Sequence, residues 1–251
     1  MSQKTTDEIL FGIMAELDSR DPEPKQNLQK KIMILSTPRS GSTLFCDTLN
    51  RTELLGECRE WFNLRYIGAY ARIKNVTSIN FQEYFDFIVS RTLRGSGTFV
   101  VNMHIDQYQS LIQQKLDPLG FSFDHVFYIN RKNKLRQAVS LARAWQTDQW
   151  GADVKAMKET NEPPNNALIS QALFMLLNGE QFYKENLKKL VSLEFDYEIF
   201  QDLNNQNGLP KLFDALGVNV DTDYKTEMKQ QSDASSEKSV TDFLRYIQGE
   251  R

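Results

Sequence analysis

The stretch KIMILSTPRSGSTLFCDTLN, residues 31–50, constrains the fold more than any other part of the chain. A short apolar run ends at Thr37 and Pro38, small polar residues follow, and Leu44, Thr48 and Leu49 then recur at helical spacing. That order reads as strand, tight loop, helix. A helix N-terminus leaves backbone N–H groups unpaired and carries partial positive charge. An anion there is held by those N–H groups, by hydroxyls such as Ser40, Ser42 and Thr43, and by a basic side chain such as Arg39. Gly41 permits close backbone approach. Taken alone, the same residues also describe an ordinary turn and helix cap. The G-x-x-x-x-G-K-[ST] pattern of a nucleotide kinase is absent.

Beyond this unit the periodicity alternates. Residues 6–19 place Ile9, Ile13, Met14 and Leu17 on one helical face, and Asp21, Pro22 and Pro24 end it. Helices are expected over 79–93, 106–115, 132–146, 165–189, 196–203, 208–216 and 239–248. Strands are expected over 98–104, 124–130 and 190–195. Residues 1–27 read as an N-terminal helical extension and 28–251 as the main domain. Residues 151–164 read as a loop, and the polar stretch 221–240 as a flap before the last helix. Strands alternating with helices predict a helix-rich α/β domain around a mainly parallel sheet, with ligands beyond the carboxyl ends of its strands.

Composition narrows the function. The 251 residues carry a net charge of −3, which argues against nucleic acid as a partner. Cys46 and Cys58 are the only cysteines, and two thiols fit a reducing, cytoplasmic compartment. With only His104 and His125 beside them, no metal site is expected. No apolar stretch approaches the ~18 residues of a membrane span.

A second basic signal follows the strand at 124–130. Arg131 stands at its end and Ser140 nine residues on, both placed to reach one phosphate at the sheet edge. Two anion sites suit a nucleotide with phosphate groups at both ends of its ribose. Pro38-Arg39-Ser40-Gly41-Ser42-Thr43 resembles the 5′-phosphosulfate loop of sulfotransferases, and Arg131 with Ser140 resembles their 3′-phosphate site. The segments LGECREWF at 55–62, QAVSLARAWQT at 137–147 and the stretch 194–217 are similar to the bacterial trehalose 2-sulfotransferase family. That resemblance implies a P-loop-like three-layer fold and a homodimer. It also implies 3′-phosphoadenosine 5′-phosphosulfate as cosubstrate without a metal, and a small, carbohydrate-like hydroxylated acceptor. Lys229 to Ser232 occupies a position similar to the loop that closes over the donor.

Sulfuryl transfer, by analogy with phosphoryl transfer, needs a base for the acceptor hydroxyl and fixed positive charge at the leaving oxygen. Arg39 and the amides of residues 40–43 suit the second task. For the base, Glu60 matches the family's catalytic carboxylate, and a raised pKa from burial would fit it to neutral pH. Glu57 matches an acceptor-binding carboxylate. His104 is the rival base, because Asn102-Met103-His104-Ile105 resembles the segment that carries the base in animal cytosolic sulfotransferases. Asn102 stands where both groups carry a basic residue. Trp61 and Trp145 are candidate stacking surfaces for the acceptor. A non-catalytic nucleotide-binding module and a P-loop kinase are the alternatives.

Overall fold

The computed structural model describes residues 5–150, 162–200, 208–219 and 234–249. In chain order these form α1 (Thr6–Ser19), β1 (Lys30–Ser36), α2 (Ser42–Thr52), α3 (Leu64–Lys74), α4 (Phe81–Thr92), β2 (Thr98–His104) and α5 (Ile105–Gln113). There follow β3 (His125–Asn130), α6 (Lys134–Thr147), α7 (Asn166–Phe182), β4 (Leu193–Asp196), α8 (Tyr197–Phe200), α9 (Leu209–Leu216) and α10 (Ala234–Ile247). Residues 151–161 of the expected loop, and 221–233 of the expected flap with Lys229–Ser232, lie outside the described residues.

The four strands pair in parallel in the order β2-β1-β3-β4. Successive side chains of a strand point to opposite faces, and both faces of this sheet are covered. Ile32 and Ile34 of β1 pack with Phe45 and Leu49 of α2 and with Leu212, Phe213 and Leu216 of α9. Met33 and Leu35 pack on the other face with residues of α1, α3, α4 and α5. A third cluster joins Ala138 and Leu141 of α6, Ile169 and Leu176 of α7 and Phe243 of α10. Met14 and Leu17 of α1 are fully buried in the same core as β1 and β2.

Asparagines start four of these helices. The side chains of Asn63, Asn80, Asn133 and Asn165 accept from the first-turn amides of α3, α4, α6 and α7. Each such cap is worth about 1 kcal/mol. Helix α3 falls where no element is expected, although Asn63 and the Tyr66, Ile67, Tyr70 spacing are its signals. β4 starts at Leu193 because Lys188–Leu190 is a 3₁₀ turn ending the α7 segment. α10 begins at Ala234, five residues before expectation. Its first turns are polar, with Glu237 paired to Arg136 of α6 at 2.6 Å, so apolar periodicity marks only the later turns.

The chain from 53 to 60 runs along the free edge of β2. Gly56 N–H donates to Thr98 O (2.8 Å), Glu57 N–H to Thr92 O (2.9 Å), and Asn102 N–H to Arg59 O (2.9 Å). A Cβ on Gly56 would lie 2.3 Å from Thr98 O, so only glycine allows this approach. The same segment lies against α2. Asn50 exchanges hydrogen bonds with the Cys58 backbone, and Cys46 and Cys58 are joined as a disulfide with Cα atoms 5.2 Å apart. No free thiol remains, contrary to the two thiols expected from composition. The fold brings them together by turning the chain back along α2. Among the described residues, no helix is long and apolar enough to cross a membrane.

Candidate active site

The chain crosses from β1 to β2 on one side and to β3 on the other, which makes the carboxyl end of β1 the switch point where open α/β sheets hold ligands. The loop 37–41 leaves from that point. Arg39 takes φ 62° and Gly41 φ 92°, both left-handed. A non-glycine residue there costs on the order of 1 kcal/mol and persists only when its surroundings enforce it. Here Gln137 of α6, wholly buried, donates to Thr37 Oγ1 (2.9 Å) and to Pro38 O (2.7 Å), and Arg131 donates to Arg39 O (3.1 Å). The Arg39 guanidinium donates through Nε to Ser140 Oγ (3.0 Å) and through Nη1 to Trp150 O (2.6 Å). Residues expected at two ends of a nucleotide are thus joined directly.

The loop has the chemistry of an anion cradle. No side chain caps the N-terminus of α2. Ser40 Oγ is buried without a hydrogen-bond partner. Burial and then the Arg131 charge lower the Arg39 pKa, and burial lowers that of Arg131. Guanidinium groups stay charged regardless, so two partly buried cations act on each other across the loop. An anion bound against them relieves that repulsion. Arg131 also lies over the Tyr197 ring, 4.7 Å from its centroid.

A carboxylate cluster adjoins the cradle. His104 ends β2, with Nε2 3.2 Å from Ser42 Oγ at the start of α2 and 3.8 Å from Glu60 Oε1. Glu60 reaches this position because Arg59 pairs beside Val101 at the β2 edge. Its Oε2 accepts from Gln107 Nε2 (2.6 Å) and Asn63 Nδ2 (3.2 Å). Burial works to raise the Glu60 pKa. His104, the two amide hydrogen bonds and Arg39 outweigh it and hold the carboxyl below its usual range. The direction is the reverse of that expected from burial alone, because donors surround the group. Although deeply enclosed, the side chain keeps 28% of its surface accessible. Asn102 is buried, donating to Ser42 Oγ at 3.3 Å. Asp106, in the first turn of α5, has its carboxyl pushed up by burial.

The expected acceptor residues are placed differently. Glu57 is buried with Oε1 on Arg59 (2.6 Å) and Oε2 on Arg20 (2.9 Å), so both its oxygens are engaged. Trp61 is 0% exposed. Its indole N–H donates to Glu57 O (2.8 Å) and its ring packs on Tyr66, which leaves no face for an acceptor to stack on. Trp145 is half-buried against the α6–α7 cluster. Thr43 is exposed on α2. Gln137, Gln107, Asn63, Asp106 and Tyr197 are given no site role in the sequence expectations. Their types carry no signal until the fold brings them to the site. Among the described residues, no group of three or more His, Cys, Asp or Glu is arranged to hold a metal ion.

No curated protein matches the chain. The family model described as Stf0 sulphotransferase matches residues 31–246, which include β1, the anion loop, the Glu60 segment and all four strands. The chain therefore belongs to the Stf0 sulphotransferase family and is a sulfotransferase.

Proposed function

We propose that the protein transfers the sulfuryl group of 3′-phosphoadenosine 5′-phosphosulfate to a hydroxyl of a small, carbohydrate-like acceptor, with Glu60 as the base. The observation that carries this reading is the Ser42–His104–Glu60 contact line. It sets an ionised carboxylate one imidazole away from an uncapped helix N-terminus. The loop amides, Ser40 and Arg39 suit the 5′ end of the donor, and Arg131 with Ser140 its 3′-phosphate. Glu60 takes the proton of the acceptor hydroxyl while that oxygen bonds to sulfur. The bond from sulfur to the bridging phosphate oxygen breaks. The pair of electrons stays on that oxygen, where Arg39 and the amides hold the charge. Donors already in place need no reorganisation as this charge grows.

His104 is the second candidate for the base, favoured by its place between Ser42 and Glu60. Substitution separates the two. Glu60→Gln lowers turnover by about 10²–10⁴-fold with donor affinity unchanged, as expected of a general base. A dead His104→Gln beside an active Glu60→Gln reverses the roles. The acceptor is found by offering hydroxylated compounds with donor labelled in the sulfate group. Absence of labelled product from sugars, with product from another hydroxyl class, overturns the carbohydrate assignment.

A further inference from the structure

Two amide side chains meet on one oxygen of Glu60, and both are fixed in orientation by helix ends. Gln107 stands in the first turn of α5, and its Oε1 accepts from the His104 backbone N–H at 3.2 Å. Its Nε2 must then face Glu60 Oε2, 2.6 Å away. Asn63 precedes α3, and its Oδ1 accepts from Arg65 N–H at 2.9 Å, which turns Nδ2 to the same Oε2 at 3.2 Å. Rotating either amide would set donor against donor at the helix and acceptor against acceptor at the carboxylate. We propose that Gln107 and Asn63 are positioning residues for Glu60, which occupy Oε2 with two N–H donors and leave Oε1 as the atom that receives the acceptor's proton.

A proton on Oε2 would have to displace one of these bonds. Among the described residues Oε1 has no such donor, and it lies 3.8 Å from His104 Nε2. The 2.6 Å contact is at the short end for a charge-assisted bond, which suits an ionised partner. The other charged or titratable groups acting on Glu60 are His104 from β2, Arg39 from the loop, Tyr66 from α3 and Asp106 from α5. The assignment rests on Glu60 being the base, while the placement of the carboxylate is tested without it.

Acidic isosteres separate positioning from capping. Glutamate at the third helical position accepts the cap N–H as glutamine does, and aspartate is as good an N-cap as asparagine. Gln107→Glu and Asn63→Asp therefore keep both helix starts but replace a donor to Glu60 with a second carboxylate. Like charges sharing a site raise the pKa of one of them strongly. Followed by carbon-13 NMR of the free protein, Glu60 and the introduced carboxyl should titrate as a coupled pair, with one apparent pKa about one unit or more higher in each variant. Its melting temperature should stay near wild type. The acid limb of turnover, measured with the acceptor from the screen, moves the same way. If neither Glu60 nor the introduced carboxyl is raised in a folded Gln107→Glu protein, Gln107 only caps α5 and the proposal is overturned. If that variant does not fold, Asn63→Asp decides by the same reading. Full turnover of Glu60→Gln sinks the base assignment and, with it, the role given to Oε1. A shifted titration then still shows the amides holding the carboxylate.

Discussion

Replacing Gly56 with alanine tests whether the acceptor half of the site depends on how closely the 53–60 segment approaches β2. The new Cβ would stand 2.3 Å from Thr98 O and 3.0 Å from Thr92 O. Ordinary carbon–oxygen contact begins at about 3.3 Å, so the backbone must withdraw by roughly 1 Å. Withdrawal cannot occur freely. The Gly56–Thr98, Glu57–Thr92 and Asn102–Arg59 hydrogen bonds and the Cys46–Cys58 link fix the segment from both sides. Overpacking of this kind costs about 1–3 kcal/mol, which in a chain of this size lowers the melting temperature by several degrees. Glu60 moves with the segment. A displacement of 1 Å at a reacting group costs about 10²-fold in turnover. Nucleotide affinity should not change, because the loop, Arg131 and Ser140 rest on β1, β3 and α6 instead. Calorimetry with adenosine 3′,5′-bisphosphate and label transfer to the acceptor measure the two separately. Wild-type turnover at wild-type melting temperature would refute the reasoning, as would an equal loss of nucleotide affinity.

Arg131→Ala should weaken binding of adenosine 3′,5′-bisphosphate far more than binding of adenosine 5′-phosphate, and equal losses by calorimetry would remove Arg131 from the 3′-phosphate site. Glu57 should make stability depend on acid. Burial opposes its ionisation, but Arg59 and Arg20 hold its pKa below the usual glutamate range, so its contribution is present above that range and lost as pH falls through the depressed value. Both arginines are over a third exposed, and water screens the pair to about 1 kcal/mol. Glu57→Gln should therefore be less stable than wild type at neutral pH, with the gap closing on acidification; a gap independent of pH in denaturant titrations contradicts this.

The anion loop is legible in the sequence because it is local. Residues 37–43 are contiguous, and the apolar run before them and the helical spacing after them fix the geometry of the turn. Arg131 and Ser140 bracket the start of the next helix and fall on the same sheet edge by the parallel register. The contacts of Asn63 and Gln107 with Glu60 leave no trace in the sequence, because a cap amide looks alike whether or not its second group meets a carboxylate. The direction of the Glu60 pKa shift escapes the sequence for the same reason. Burial is visible as an apolar neighbourhood in sequence, but the groups that outweigh it are His104 at the end of β2, Gln107 of α5, Asn63 before α3 and Arg39 of the loop. Trp61 shows the converse limit: its type suits sugar stacking, and only the packing of Tyr66 and the Glu57 carbonyl shows that the ring is enclosed.

The two halves of the site are built by different means, and this bears on how they tolerate change. The anion loop is held by strong local constraints, with a proline, a left-handed Arg39 and a buried Gln137 that fixes two of its acceptors. Gln137 is in turn oriented by Lys134, whose Nζ donates to its Oε1 at 3.2 Å and to Asn130 Oδ1 at 2.9 Å, and which is paired with Glu180. That chain of contacts runs through α6 and α7 and never touches the 53–60 segment. The carboxylate half hangs instead on the close approach at Gly56 and on side chains whose first task is to start helices. If Glu60 and the loop act as proposed, substitutions along 53–66 should change which hydroxyl is presented to Glu60 while donor binding stays intact, and substitutions around Gln137 and Lys134 should alter donor binding for every acceptor alike.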